Sequence, residues 1–210
     1  MRNACICFGV LMLISLANAG DIFSDDNLAS HPAAPTGLTG QSPVLSGQFE
    51  VSRTFAGMSG AIEAQGSFIL SSELGLLWEQ SRPFQSSLLL TPEKMSQRIS
   101  SSPTTVILAQ DNPIPFAMME IFLGLFQGHF DSLAENFRFY FEQDDQHWQI
   151  GLIPTSALIQ RAISTVTASG KSDIEQLVIT DKAGNVQSFR FIDTEHTSEL
   201  TEEQQRKFQW

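Results

Sequence analysis

The sequence predicts an α+β fold, a strongly curved antiparallel β-sheet of about 8–11 strands with helices in its mouth. Residues 49–91 contain short apolar and aromatic runs broken by Gly, Pro and Ser, a pattern typical of antiparallel strands. Residues 116–126 are apolar around most of a helical circumference. Further short apolar runs, separated by turn residues, continue to Ile192.

The amino-terminal segment has the three parts of a secretory signal peptide. Arg2 provides a positive charge, residues 5–16 are apolar and uncharged, and Ala17-Asn18-Ala19 is a small-residue cleavage site. The apolar run is short for a membrane anchor, which needs about 20 residues to cross a bilayer. We therefore expect residues 1–19 to be removed after Ala19 and the protein to be exported.

Composition narrows the compartment and the partners. Both cysteines, Cys5 and Cys7, lie inside the predicted signal peptide, so the rest of the chain has no thiol. A cysteine-free exported chain of this size fits a bacterial periplasm better than a disulfide-stabilised extracellular scaffold. The chain has 23 acidic against 12 basic residues and a net charge of -11. It is therefore a poor binder of polyanions, and we expect no nucleic-acid partner.

Residues 20–46 are predicted to form a flexible leader rich in Pro, Gly and Ser, because prolines at this density interrupt any long helix. The folded domain is predicted over residues 47–210. Its first strands begin at Phe49, where Phe49 and Val51 alternate with polar residues and so share one face. Residues 76–78 and 88–90 are apolar at every position, which indicates strands covered on both sides.

The run at 116–126 predicts a helix that is buried nearly all round and too short to cross a membrane. Its less apolar positions, Glu120, Gly124 and Gln127, form a narrow stripe, and Met118-Met119 offers an adaptable apolar surface. Two interpretations stay open: a plain core helix, and a lid over a lipid pocket. A second helix is predicted from Phe130, Leu133, Ala134 and Phe137.

The carboxyl-terminal part predicts hairpins. Residues 138–142 and 147–152 flank an acidic turn, and residues 174–180 and 186–192 flank the turn at 182–185. Another strand is predicted over 162–168. A capping box, Thr201 to Gln204, predicts a short terminal helix.

Motifs for catalysis or for metal and cofactor binding are missing from the sequence. It contains no nucleophile elbow, P-loop or dinucleotide fingerprint, and the histidines lack metal-ligand spacing. The acidic turn at 142–145 lacks the ligand spacing of an EF-hand, and Asp25, Asp26 and His31 are interpreted as solvated leader residues. We therefore expect no catalytic residue, no metal site, no cofactor and no enzymatic activity.

The central motifs resemble those of the LolA-like family of periplasmic outer-membrane lipoprotein carriers. Gly66, Trp78 and Pro83 keep the spacing of a glycine, a tryptophan and a proline in that family. The segments at 115–119 and 148–154 resemble two further family motifs, a Pro-Phe before an apolar helix and a Trp-to-Pro hairpin end. The resemblance covers residues 49–192 and is closest to a divergent branch of the family.

The resemblance further implies that residues 47–210 are a lipid-carrier domain, an incomplete antiparallel β-barrel with helices covering the mouth of an apolar cavity. Family members accept the acyl chains of a lipoprotein from an inner-membrane ABC exporter and pass it to an outer-membrane receptor. The expected partners are therefore acylated cargo, such an exporter and such a receptor. The residues expected to line the cavity and its lid are Phe49, Val51, Phe68, Trp78, Leu89, Met118, Met119, Phe122 and Trp148.

The sequence departs from the type carriers in two places. Ser72 and Glu73 occupy the positions of an Arg-Pro pair whose arginine is implicated in holding the family's lid closed, and Arg53 and Arg82 are alternative candidates for that role. The leader occupies the place of an amino-terminal lid helix. The cargo can therefore differ, for example a glycolipid or a lipid-bearing pigment. Two other hypotheses are a structural or sensory module with an aromatic core, and an enzyme acting on lipid.

Overall fold

The computed structural model describes residues 21–29, 34–36, 38, 42–112, 114–145 and 147–209. The predicted signal peptide, residues 1–19, lies outside these ranges. The described part contains eleven strands and three α-helices: β1 Val44–Thr54, β2 Ala61–Ser71, β3 Gly75–Arg82, β4 Ser86–Leu90, β5 Lys94–Ile99, β6 Thr105–Leu108, α1 Ile114–Phe126, α2 Phe130–Asn136, β7 Phe137–Gln143, β8 Trp148–Pro154, β9 Ile163–Gly170, β10 Ile174–Asp181, β11 Val186–Thr197 and α3 Glu202–Lys207.

All eleven strands belong to one antiparallel sheet in the order β6-β5-β4-β3-β2-β1-β11-β10-β9-β8-β7. The sheet is not closed, because β6 and β7 are its two edges and do not pair. Strands β1 and β11, far apart in the chain, form the central pair, in which Phe49 lies opposite Phe191 and Glu50 opposite Arg190. The predicted fold, an incomplete antiparallel barrel with helices, is confirmed.

The helices α1 and α2 connect the two edges of the sheet, since the chain runs from β6 through both helices to β7. Helix α1 packs into the concave side of the sheet with Phe116, Ile121, Phe122 and Leu125 buried in the main core. The helix is buried or half-buried on almost every side, as its apolar sequence requires. Glu120 is its one exposed residue among those with a described side chain. No helix in the described part of the chain combines the length and apolar character needed to cross a membrane.

A second, smaller core lies on the convex side of the sheet. Val44, Ile69, Leu77 and Leu89 pack there against Leu200 and Phe208, which flank α3. The predicted capping box at the start of α3 is confirmed: the Gln204 N–H donates to Thr201 Oγ1 at 3.2 Å, and the Thr201 N–H donates to Gln204 Oε1 at 2.9 Å. The sheet is therefore covered on both faces along β2, β3 and β4, as the all-apolar runs predict.

Part of the predicted leader packs on the far end of the sheet. Ile22 is buried, and the rings of Phe23 and Tyr140 meet edge to face with centroids 5.5 Å apart. The Ala29 N–H donates to the Phe139 carbonyl oxygen at 3.0 Å. These contacts extend the edge at β7 by a short segment of chain; the flexibility of residues 20–46 as a whole stays a prediction.

Candidate functional site

An apolar groove of about 340 Å³ lies between the amino-terminal half of α1 and the inner faces of β3, β4 and β5. Its strand wall consists of Leu76, Trp78, Leu88 and Leu90. Its helix wall consists of Pro115, Met118, Met119 and Phe122. Helix α1 and aromatic side chains fill the rest of the barrel interior. The groove therefore exposes part of the inner core to solvent beside β3, β4 and β5.

Strand alternation decides which leucines face the groove. Trp78 lies opposite Leu88 and Leu76 opposite Leu90, so these four side chains share the inner face. Leu77 and Leu89 form the intervening pair and point to the convex side, where both are buried in the smaller core. The assignment of Leu89 to the cavity is therefore wrong: Leu88 and Leu90 are the residues of β4 that line the groove.

The floor of the groove is an aromatic cluster centred on Trp78. The Trp78 ring stacks on Phe49 with centroids 3.7 Å apart and an interplanar angle of 21°. It meets Phe122 and Phe189 edge to face, at centroid distances of 6.0 Å and 5.8 Å. Offset stacking and edge-to-face contacts are the favourable geometries for aromatic pairs. Strands β1, β3 and β11 and helix α1 each supply one ring, so the cluster ties the groove to the centre of the sheet.

Gly66 makes this arrangement sterically possible. It lies directly opposite Phe49 in the β1–β2 pair, and the Phe49 ring covers the position where a side chain would stand. A Cβ at residue 66 would lie 2.7 Å from Phe49 Cζ and closer still to the Glu79 carbonyl oxygen. The glycine and the tryptophan of the sequence motif thus belong to one packing unit, in which Gly66 admits the ring on which Trp78 stacks.

The nine residues predicted for the cavity fall into four groups. Trp78, Met118, Met119 and Phe122 line the groove, and Phe49 lies beneath Trp78. Val51 and Phe68 are buried in the main core. Trp148 is 2% exposed, and its indole N–H donates to the Lys171 carbonyl oxygen at 2.6 Å, a contact that holds the β8 end against the β9–β10 turn. Leu89 lies on the opposite face of the sheet.

Sequence reasoning missed the residues at the open end of the groove. Phe84, in the turn after β3, and Ile99, at the end of β5, both line the groove and are 53% and 43% exposed. Arg53, Gln80 and Gln97 also line it. Cross-strand pairing with Trp78 and Leu76 places Leu88 and Leu90 in the groove, and no local signal indicates that the end of β1 reaches it.

Three larger depressions, of about 590, 570 and 650 Å³, have more polar linings. Their walls include Glu50, Gln65, Glu73 and Glu79, carboxylates and amides that favour water over hydrocarbon. Within the described ranges, no cluster of His, Cys, Asp or Glu side chains is arranged to hold a metal ion. The groove beside α1 is therefore the candidate site on chemical grounds, despite its smaller volume.

One perturbed carboxyl group lies on α1. Partial burial, and secondarily the charge of Glu135, raises the pKa of Glu120. Glu120 does not line the groove, but an ionised carboxylate in this position opposes the docking of α1 beside α2.

No protein-family model and no curated protein matches the chain. Solved structures do show similarity. A LolA superfamily protein from Nitrosomonas europaea is 9% identical, with a TM-score of 0.44 and coverage of 82% of this chain and 97% of that chain. A domain from Vibrio parahaemolyticus, named for outer membrane lipoprotein sorting, is 10% identical, with a TM-score of 0.42 and coverage of 80% and 91%.

A DUF1329 family protein from Desulfovibrio piger is 9% identical, with a TM-score of 0.43 and coverage of 76% of this chain and 88% of that chain. Because these identities and TM-scores are low, the function is argued from the groove itself.

Proposed function

We propose that the protein is a periplasmic, non-enzymatic carrier that binds the acyl chains of a lipoprotein or a similar amphiphile in the groove beside α1. The observation that carries the proposal is the composition of the groove: Trp78, Leu88, Leu90, Met118, Met119 and Phe122 form two facing apolar walls that open to solvent. Exposed apolar walls of this kind are typical of ligand sites, and a volume of about 340 Å³ lies at the lower end of their range.

Burial of hydrocarbon supplies the driving force. Each methylene removed from water contributes about 0.8 kcal/mol, so a chain of about a dozen methylenes is strongly favoured in an apolar groove over the aqueous periplasm. The two methionines suit a carrier that must also release its cargo, because their unbranched side chains adapt to different chain shapes. A larger cargo requires α1 to move outward from the sheet, which exposes the aromatic floor around Trp78.

The route from the inner to the outer membrane, with an ABC exporter as donor and an outer-membrane receptor as acceptor, follows from the family resemblance of the motifs at Gly66, Trp78 and Pro83. Export to the periplasm follows from the predicted signal peptide. A glycolipid or a lipid-bearing pigment would use the same groove, so these cargoes are alternatives within one binding mode.

A second candidate function is a non-transport structural or sensory module. The observation in its favour is that α1 already fills the barrel interior and that its rings pack closely: Phe126 and Phe191 meet edge to face at 4.8 Å, and Phe122 and Phe126 stack at 5.8 Å. On this alternative the methionines and aromatic residues form a core with no exchangeable ligand.

Native mass spectrometry of the mature chain, purified from periplasm without detergent, separates the two candidates. We expect a bound amphiphile that is lost when the protein is unfolded. If nothing copurifies and the delipidated protein takes up none of the acylated ligands offered to it, the carrier proposal fails and the closed module is favoured.

A charge placed in the groove is expected to weaken binding strongly. Met118→Glu puts a carboxylate against the hydrocarbon, and we expect the affinity for a dodecyl ligand to fall at least about tenfold because a buried charge is costly in apolar surroundings. Met58→Glu is the matched control, since Met58 is 66% exposed in the β1–β2 turn, away from the groove. Equal affinities for the two variants would contradict the assignment of the site.

A further inference from the structure

The groove changes from apolar to polar along its length. The cross-strand pairs of β3 and β4 show the change: Leu76 lies opposite Leu90, Trp78 opposite Leu88, and Gln80 opposite Ser86. The Leu76 end is closed by the buried core, and the Gln80 end lies next to the exposed ring of Phe84. An occupant that matches this gradient has a hydrocarbon chain at the inner end and a polar group at the outer end.

Arg53 is the one charged residue among those described that line the groove. It lies one residue before the end of β1 and, two positions after Val51, on the same inner face of the strand. This placement is notable in a chain with 23 acidic and 12 basic residues. A guanidinium beside an otherwise uncharged, partly apolar surface provides charge complementarity for an anion.

Two other basic side chains in the described chain are paired with carboxylates. Arg190 pairs with Glu50 across the β1–β11 seam, and Lys207 Nζ lies 3.0 Å from Glu79 Oε2. Arg53, in contrast, forms no ion pair with any acidic side chain that the structure describes. Its guanidinium donors therefore remain accessible to a ligand in the groove.

We propose that the groove selects a single-chain amphiphile with a carboxylate head group, a long-chain fatty acid, whose head group binds Arg53 while its chain lies against Leu90, Met119 and Phe122. The inference rests on the proposed function and adds the class of head group. A volume of about 340 Å³ favours one chain over two.

One guanidinium matches the single charge of a carboxylate and its two oxygens, in the bidentate geometry that arginine favours. A phosphate monoester carries about -1.5 to -2 charges at neutral pH and would leave part of its charge unpaired on an acidic protein. These two arguments favour the carboxylate over the phosphate as the head group.

Calorimetric titration of the delipidated mature protein tests the proposal with three dodecyl probes: laurate, dodecanol and dodecyl phosphate. Arg53→Gln removes the charge, and we expect it to weaken laurate binding about tenfold, the loss typical of one charge-assisted hydrogen-bonded pair, while dodecanol binding stays within about twofold. Arg53→Lys should recover much of the laurate affinity. Arg190→Gln, the same kind of change on the convex face, should leave laurate binding unchanged.

Salt provides a measurement that needs no variant: laurate affinity for the wild-type protein should fall as ionic strength rises, and dodecanol affinity should not. Unchanged laurate binding by Arg53→Gln, or an equal loss for laurate and dodecanol, would overturn the role of Arg53. Tighter binding of dodecyl phosphate than of laurate would overturn the choice of carboxylate. If the wild-type protein binds neither laurate nor dodecanol, it is the acyl-binding function itself that fails.

Discussion

Gly66, Phe49 and Trp78 show how a single missing side chain organises the groove. The Phe49 ring crosses Gly66 on the neighbouring strand, and Trp78 stacks on the ring at a centroid distance of 3.7 Å. A side chain at residue 66 would have to displace both the ring and the β3 backbone at Glu79. The position of Trp78, and with it the floor of the groove, therefore depends on Gly66, which lies on β2 two residues before Phe68, the residue opposite Trp78.

Gly66→Ala is expected to destabilise the protein by about 1–3 kcal/mol, the usual cost of overpacking a well-packed site. The measurement is the free energy of unfolding from urea denaturation. Ser67→Ala is a suitable control, because it places the same side chain on the adjacent, exposed residue of β2. A Gly66→Ala protein as stable as the control would show that Phe49 can move aside without loss of packing.

At the residue scale, the sequence predicted groove residues well where helical or strand periodicity acts alone. Met118, Met119 and Phe122 follow from a helix with one polar stripe. Leu89 was assigned to the wrong face because residues 88–90 are all leucine, so the run itself gives no phase. The phase comes from the cross-strand pair Trp78 and Leu88, which the sequence does not display.

At the scale of elements, α1 and α2 pack against each other between the two edges of the sheet. Gly124 allows their close approach, since a Cβ there would lie 2.7 Å from Leu133 Cδ1. Glu120 works against this approach: burial and the nearby charge of Glu135 raise its pKa, so its ionised form is disfavoured in the folded state. Helix α1 is thus held by apolar packing, and the raised pKa of Glu120 indicates one unfavourable carboxylate on its surface.

Glu120→Gln is expected to raise the free energy of unfolding at neutral pH. Because the folded-state pKa is raised, the folded protein binds more protons than the unfolded chain between the ordinary and the raised pKa, and wild-type stability falls as the pH rises through that window. The gain from the variant should shrink at about pH 4, where the carboxyl group approaches protonation in both states.

Urea midpoints of wild type and variant at the two pH values measure this effect, with Glu203→Gln on the exposed helix α3 as the control. A gain at neutral pH that persists undiminished in acid would show that the effect does not come from ionisation of Glu120.

The sequence predicted the bounds of strands and helices where the alternation of apolar residues is strong, and it failed where that alternation is weak. The hairpins β7–β8 and β10–β11 and the strand β9 agree with the predicted ranges to within a few residues. Strand β5, Lys94–Ile99, was not predicted, because four of its six residues are polar and it has only partial cover. The second helix ends at Asn136 rather than Phe137, since Phe137 turns extended and starts β7.

At the scale of the whole molecule, the sheet is two antiparallel meanders joined at β1 and β11. Each meander follows from local turns, and most of these were predicted, with the turns on either side of β5 as the exception. The seam was not, because it pairs residues such as Glu50 and Arg190 that lie 140 positions apart, and no local pattern encodes such a pairing. The same pairing of β1 with β11 brings Phe189 to the groove floor, which explains why sequence reasoning did not find it.

Local stability against opening should be highest at the central pair β1–β11 and should fall toward the two edges of the sheet. We expect the amides of β1, β2 and β11 to show the slowest hydrogen exchange, and those of β6 the fastest, because β6 is a short, largely exposed edge strand. Binding of laurate should slow exchange in α1, β4 and β5 and leave α3 unchanged. Hydrogen exchange read by mass spectrometry measures both effects. Ligand protection centred on α3 instead would place the binding site on the convex face.

The seam also sets the time at which the fold can form. Strand β1 cannot pair with its partner β11 until about 140 further residues have been synthesised, which at about 5–20 residues per second takes roughly seven to thirty seconds. During this interval the first meander lacks the strand that completes its core, and the nascent chain remains without its central pair. For the export proposed above, which would need an unfolded chain, this strand order is favourable because it delays formation of the central strand pair.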